Sequence, residues 1–137
     1  MIEKIYGKGI VEGYVEGEVM VSKTPLALLG GLNPNTGEIV EDGHELKGKS
    51  LAEKILVVYN EKGSTAGIYT LIEAIDNKKG PKGVITSRKA SSIILAAIQK
   101  NLPLIIVEES ELGKFKEQDY IKMDATKGII EIYKNFP

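Results

Sequence analysis

The sequence predicts a single mixed β/α domain spanning residues 1–137, and three observations lead there. Up to about Val40, short apolar pairs are punctuated by glycines, the pattern of brief strands joined by turns, with no helical period. From Ile55 onward, apolar runs alternate with amphipathic stretches, which is how strand–helix–strand units read. No internal repeat and no linker long enough to divide the chain interrupts this progression.

In the first part, Ile5-Tyr6, Ile10-Val11, Tyr14-Val15 and Val19-Met20-Val21 are separated by Gly7, Gly9, Gly13 and Gly17. β-Branched and aromatic side chains suit a pleated strand and glycine weakens one, so each pair reads as the centre of a short strand. Pro25 to Leu29 leads to Gly30-Gly31. The following Asn33-Pro34-Asn35-Thr36-Gly37 reads as a type I turn closing a tight loop, with proline where a fixed φ is wanted. Glu38 to Val40 resumes a strand, and residues 41–50 form a polar loop.

In the second part, Ile55 to Val58 is a strand with the continuous apolar run of one covered on both faces. A helix follows over Thr65 to Asn77, with Ile68, Leu71, Ile72 and Ile75 on one face at i, i+3, i+4 and i+7. Lys78-Lys79-Gly80-Pro81 ends it with basic residues, glycine and proline. Val84 to Thr86 is a strand, Ser91 or Ser92 caps a second helix whose face holds Ile94, Ala97 and Ile98, and Leu104 to Val107 is a further strand. A short helix over Ser110 to Glu117 precedes final strands at Tyr120 to Met123 and Ile129 to Tyr133, around the turn Asp124 to Gly128. Two strand–helix–strand units predict right-handed crossovers and a parallel segment of sheet.

Composition narrows the chemistry. At 137 residues, 42% hydrophobic and 27% charged, the chain has the make-up of a globular protein with a real core. No apolar run approaches the roughly 18 residues of a membrane span, and Met1-Ile2-Glu3-Lys4 opens no signal segment, so a cytoplasmic protein is expected. A net charge of −1 provides no general attraction for nucleic acid or an anionic membrane. Zero cysteines exclude a disulfide, a thiol nucleophile and any iron–sulfur or cysteine–zinc site made by this chain alone. One histidine, His44, excludes a multi-histidine metal site. No cofactor is expected on this chain.

Two motifs mislead. Gly43 to Ser50 (GHELKGKS) satisfies G-x-x-x-x-G-K-[ST], but a P-loop follows a buried strand and opens a substantial helix. Here Glu41-Asp42 precedes it, only Leu51 to Glu53 separates it from the next strand region, and no strand ends in a magnesium-binding aspartate. Lys49 therefore reads as a solvated loop lysine. Gly7, Gly9 and Gly13 have the wrong spacing for a dinucleotide fingerprint, and no helix follows. His44 sits in a polar loop, and a solvated or loop-packing role fits it better than a base or a phosphocarrier.

The stretch from Tyr59 to Ile75 carries more. A buried strand ends, Gly63 allows a turn, and Ser64 stands where a helix N-cap belongs. Gly67 occupies the position where a capping box would want Glu or Gln, so the sequence does more here than begin a helix. Such a junction directs free backbone N–H groups and a hydroxyl at one point, favouring an anion or a polarised oxygen. No G-x-S-x-G is present and the single histidine is distant, which makes a serine-hydrolase triad improbable. Ser64 is the candidate active-site residue.

At these residues a family resemblance enters. VSKTPLALLGGLNPNTGEIV and HELKGKSLAEKILVVYNEKGSTAGIYTL resemble the small, swivelling-domain subunit of the aconitase X family, over most of the chain from about Gly7 to Pro103. The most specific parts are Gly30-Gly31 with Pro34, Thr36 and Gly37; His44 with Leu46 and Gly48; and Gly63-Ser64-Thr65. The resemblance implies a β-barrel-like swivelling core flanked by helices. It implies docking on a large subunit that carries a cysteine-bound iron–sulfur cluster, and a hydro-lyase reaction.

For the archaeal two-subunit members that reaction removes water from (R)-5-phosphomevalonate to give trans-anhydromevalonate 5-phosphate, in the mevalonate route to isoprenoids. Ser64 carries over as the proton acceptor, with Gly63, Thr65, Gly30 and Gly31 lining the substrate side. The cluster would act as Lewis acid on the departing hydroxyl. A serine hydroxyl is a poor base unless its alkoxide is stabilised, by a helix N-terminus and a cation such as Lys62 or one supplied by the partner. Ile68, Asn33 and Ala27-Leu28 depart from the family pattern, which leaves open another small hydroxy acid, such as a hydroxyproline isomer. Two further readings stand beside it. Thr86 to Val107 also resembles the swivelling phosphohistidine domains of phosphotransfer enzymes, but Ser91 and Ser92 stand where those carry histidine. A non-catalytic docking module is the last.

Overall fold

The computed structural model describes residues 2–62 and 66–134. Its strands are β1 (Ile2–Tyr6), β2 (Lys8–Val11), β3 (Tyr14–Ser22), β4 (Leu26–Ala27), β5 (Ile55–Val58), β6 (Glu61–Lys62), β7 (Gly83–Thr86), β8 (Leu104–Ile106), β9 (Tyr120–Asp124) and β10 (Ile129–Tyr133). The helices are α1 (Gly67–Asp76) and α2 (Ser91–Lys100), with a 3₁₀ helix at Glu109–Lys114. Among the described residues, no helix is long and apolar enough to cross a membrane.

Eight strands form one mixed sheet in the order β1-β10-β9-β3-β5-β7-β8-β2, while β4 and β6 pair separately. Strands β3, β5, β7 and β8 run parallel, in keeping with the two predicted strand–helix–strand units. The other pairings of the large sheet are antiparallel. Consecutive strands β1 and β2 lie at opposite ends of that order, yet Gly7 alone joins them. The two ends of the sheet must therefore meet, and the sheet curls into the barrel-like core that the resemblance implied. Gly7 N–H closes the seam on Gly128 O at 2.9 Å, where a Cβ on Gly7 would run into Ile106 O.

Period-2 alternation divides the core into two. Val19, Val21, Ile55, Val57, Ile85, Ile105, Ile121, Met123, Ile130 and Ile132 point inward with Ile5, Leu112 and Phe115. From the parallel strands, Met20, Leu56, Val58, Val84 and Leu104 point the other way, toward Leu71 and Ala74 of α1, Ile93, Ala96 and Ala97 of α2, and Leu26, Leu28, Ile39 and Leu51 of the long connection.

The structure departs from the sequence reading in several places. Tyr14–Ser22 is one continuous strand of nine residues rather than two short pieces, because Gly17 keeps its place opposite Ile121. Glu38 to Val40 makes only the isolated bridges Leu32↔Ile39 and Glu38↔Ser50, since both partners turn away after one pair. The buried face of α2 is Ser92, Ile93, Ala96 and Ala97, and Ile98 is half exposed. Helix α1 ends as predicted near Asn77, but the left-handed residue is Lys78, at φ 61°, in place of a glycine. Lys78 N–H bonds Ile75 O and Lys79 N–H bonds Ala74 O at 2.8 Å, the two bonds of a Schellman closure. At Asn33–Gly37, Thr36 and Gly37 N–H both reach Asn33 O, and Gly37 closes the loop at φ 78°.

Candidate functional site

All four parallel strands end at one edge of the sheet, where ligands gather in open parallel α/β folds. Tyr59 N–H bonds Ser22 O there at 3.0 Å, and Val107 N–H bonds Thr86 O at 2.9 Å, carrying the ladder past the strand ends. Just beyond it, β4 and β6 pair in parallel, with Leu26 opposite Glu61 and Ala27 opposite Lys62. Strand β6 leads into residues 63–65 and then α1. The three candidates Gly63, Ser64 and Thr65 lie outside the described residues, as does the predicted Ser64 cap; their flanks, Lys62 and Ala66, are described.

Both residues of β6 are held by side-chain chemistry that sequence spacing does not reveal. Glu61 Oε1 accepts Ser92 N–H at 2.6 Å and Ile93 N–H at 3.1 Å, so a carboxylate from β6 caps α2. Neither predicted serine caps it: Ser91 and Ser92 already lie inside the first turn, and Ala90 at the N-cap position offers no side-chain acceptor. Lys62 Nζ pairs with Glu41 Oε2 at 2.6 Å, and Glu41 Oε1 accepts Ala27 N–H at 3.0 Å. Burial alone would push the Glu41 carboxyl up; the bonds from Lys62 and Ala27 outweigh it and hold the group below the usual carboxylate range. The charge of Lys62 is thus already offset by Glu41.

The Gly30-Gly31 loop sits beside the start of α1. A Cβ on Gly67 would lie 3.1 Å from Leu28 Cβ and 3.6 Å from Leu29 N, so the helix begins against the residues leading into Gly30. Gly31 packs its own backbone tightly, since a Cβ there would lie 2.0 Å from Ala27 O, while Gly30, at φ 80°, faces open space. The structure therefore brings the Gly30-Gly31 loop, β6 and the first turn of α1 together.

His44 is buried, at 6% exposure, and its role is structural. Nδ1 accepts Leu46 N–H at 3.0 Å. Nε2 faces Ser22 Oγ at 3.1 Å and Thr24 O at 3.2 Å, while Ser22 Oγ donates to Thr24 O at 2.7 Å. Both ring nitrogens are thus engaged. The adjacent Glu45 Oε1 accepts Lys23 N–H and Thr24 N–H at 2.6 and 2.7 Å. The P-loop-like segment thus packs on residues 22–24. Its lysine, Lys49, is mostly exposed and pairs with Glu117 at 3.5 Å, and Ser50 Oγ donates to Thr36 O.

A cleft of about 470 Å³ opens at the ends of β7 and β8, with Gly7, Lys8, Ser87, Arg88 and Glu108 among its lining residues. Among the described residues, neither Lys8 nor Arg88 has an ion-pair partner, whereas Lys89 beside them pairs with Glu109 at 3.0 Å. No group of three or more His, Asp or Glu among the described residues is placed to hold a metal.

This arrangement, a barrel-like sheet with a helix-flanked parallel edge and a glycine loop beside the start of α1, has known counterparts. Residues 4–132 match the aconitase X swivel domain family. The chain belongs to that family. Its similarity to the phosphomevalonate dehydratase small subunit of Pyrococcus horikoshii is 40% identity, over 94% of this chain and 95% of that protein. Against the phosphomevalonate dehydratase small subunit of Methanosarcina acetivorans it is 34%, over 96% and 92%. The crystal structure of Thermococcus kodakaraensis aconitase X in its holo-form superposes with a TM-score of 0.89 at 36% identity, over 96% of this chain and 99% of that one. The aconitase X swivel family match therefore covers nearly the whole chain. Glu41 and Glu61 were missed in the sequence because their partners, Lys62 and the amides of α2, are distant along the chain and follow no periodicity.

Proposed function

We propose that this chain is the small subunit of a phosphomevalonate dehydratase, removing water from (R)-5-phosphomevalonate to give trans-anhydromevalonate 5-phosphate in the mevalonate pathway. The observation that carries this reading is end-to-end similarity: 34–40% identity to phosphomevalonate dehydratase small subunits, together with the 0.89 TM-score to an aconitase X structure. A small subunit has a large partner, and activity belongs to the assembled pair.

Within the pair, Ser64 takes the proton from the carbon next to the carbinol. That C–H electron pair becomes the new double bond, the neighbouring C–O bond breaks, and the hydroxide leaves as water once Ser64 has passed its proton on. Gly63, Thr65, Gly30 and Gly31 line the substrate side, where backbone close to the substrate leaves room for it. The closeness of the Gly30-Gly31 loop to the start of α1 supports grouping these residues. Since Lys62 is offset by Glu41, the cation that makes Ser64 basic comes from the partner. Lys8 and Arg88, which have no ion-pair partner among the described residues, suit the anionic ends of a phosphorylated acid arriving at the same sheet edge.

An iron–sulfur cluster does not fit this chain's own donors, which include no thiolate. We therefore assign the cluster to the large subunit, together with the loss of the hydroxyl, and place the complex in the cytoplasm.

The test is reconstitution. This chain, co-expressed with its large subunit under anaerobic conditions, should convert phosphomevalonate, and each subunit alone should not. A complex that forms but leaves phosphomevalonate untouched while dehydrating a hydroxyproline isomer would overturn the substrate assignment.

A further inference from the structure

Glu41 joins three pieces of the candidate site. One carboxylate oxygen takes Ala27 N–H of β4 and the other takes the Lys62 ammonium of β6, two strands paired at that very position (Ala27 opposite Lys62). Its Cβ packs against the backbone of Gly31, lying 3.2 Å from where a Gly31 Cβ would be. The next residue back, Val40, bonds Gly31 O through its N–H at 2.8 Å. The Glu41 side chain is only 14% exposed, against 54% for Lys62. Ion pairs that are exposed on both sides contribute little. This pair differs, because one partner is largely covered and satisfied by a second hydrogen bond, and charge-assisted bonds of this length are the stronger kind.

Lysine is a flexible point charge on a long stem, and unpaired it would sample solvent. Residue 62 stands two positions before Ser64 in the chain, so what holds Lys62 holds the end of β6, the last described residue before the proposed proton acceptor. Proton abstraction by a serine is sensitive to placement, since reacting atoms must be held at near-attack distance.

We infer that Glu41 is a positioning residue for the dehydration, locking β4, the Gly30-Gly31 loop and Lys62 into one unit at the entry to residues 63–65. The inference rests on the proposed function but makes a separate prediction. Glu41→Gln keeps the acceptor for Ala27 N–H and loses the charge that holds Lys62; Lys62→Met removes the other half of the pair.

In the assembled enzyme, each substitution should lower kcat by on the order of tenfold with KM within about twofold. Because both variants break one linkage, the double variant should fall no lower than the worse single one. Two results overturn the inference: kcat within about twofold of wild type in either assembled variant, or losses that multiply in the double variant. Lys62→Met, at an exposed position, carries the kinetic test if Glu41→Gln does not assemble. A second readout needs no activity. In the free small subunit, Glu41→Gln should speed amide hydrogen exchange at Gly31 and Lys62 together, and unchanged protection at both overturns the inference even if phosphomevalonate is the wrong substrate. A wild-type complex inert on phosphomevalonate counts against the proposed function alone.

Discussion

The two halves of the barrel are built from the same alternating pattern but used differently. In the parallel half, β5 and β7 are buried at every position: Ile55, Val57 and Ile85 fill the barrel, and Leu56, Val58 and Val84 meet the helices. In the antiparallel half, β9 and β10 bury only alternate residues. Their outer face carries polar and aromatic contacts. Tyr120 OH and Tyr14 OH donate to Glu16 at 2.6 and 3.0 Å, and Lys122 lies 5.2 Å from the Tyr133 ring centre. Covering both faces leaves the parallel half little room for chemistry except at its strand ends, and there Glu41, Glu61, the Gly30-Gly31 loop and the start of α1 gather. The lesson is that the doubly covered half presents its candidate site residues only at its strand ends, while the half-exposed strands carry polar and aromatic contacts on their outer face.

This contrast can be broken most directly by truncation. Leu56→Ala should destabilise the chain by about 2–5 kcal/mol, since the side chain is fully buried between sheet and helices. Tyr133→Ala on the outer face of β10 should cost about 1 kcal/mol or less. Denaturant midpoints for the two variants would measure the difference, and equal losses would erase the distinction.

A smaller effect belongs to the capping carboxylate. Glu61→Ala leaves Ser92 and Ile93 N–H without their acceptor and should cost about 1 kcal/mol, within the usual range for a lost cap. Faster hydrogen exchange in the first turn of α2, with α1 unchanged, would locate the loss. Uniform loosening of both helices would contradict the assignment.

The smallest effect is in the acid limb. Burial pushes the Glu45 carboxyl up, but the N–H groups of Thr24 and Lys23 hold it below the usual range, as Lys62 and Ala27 do for Glu41. A carboxylate whose pKa is depressed on folding contributes stability above its unfolded value, about 4.3, and loses that contribution as pH falls through the depressed folded value. The double variant Glu41→Gln, Glu45→Gln should therefore lose stability near neutral pH and show a flatter decline in acid. A parallel acid limb would show that these carboxylates do not couple folding to protons.

Much of this was legible from residue patterns. Continuous apolar runs such as Ile55 to Val58 revealed the doubly covered strands, and the spacing of Ile68, Leu71, Ile72 and Ile75 revealed α1, because burial writes its period directly into sequence. The barrel closure was not legible from periodicity, since it depends on β1 and β2 finding different partners across a single Gly7. Ser91 and Ser92 misled as caps because a serine before a helix signals capping, whereas the acceptor came from Glu61, thirty-one positions from Ser92. The sequence left His44 either solvated or loop-packing; the fold buries it, because Ser22 and Thr24 meet it only there. At the candidate site, Gly30 and Gly31 stood out as a glycine pair, and the residues leading into them pack against the start of α1. Glu41, which ties them to β6, left no pattern to read.

The central claim is that Ser64 carries the chemistry. The measurement that tests it most directly compares kcat of the reconstituted complex for wild type, Ser64→Ala and Lys122→Ala, with assembly checked for each. Ser64→Ala should lose roughly 10² or more in kcat while the complex still forms, and Lys122→Ala, on the antiparallel face, should keep wild-type turnover. Near-normal turnover in assembled Ser64→Ala would contradict the account.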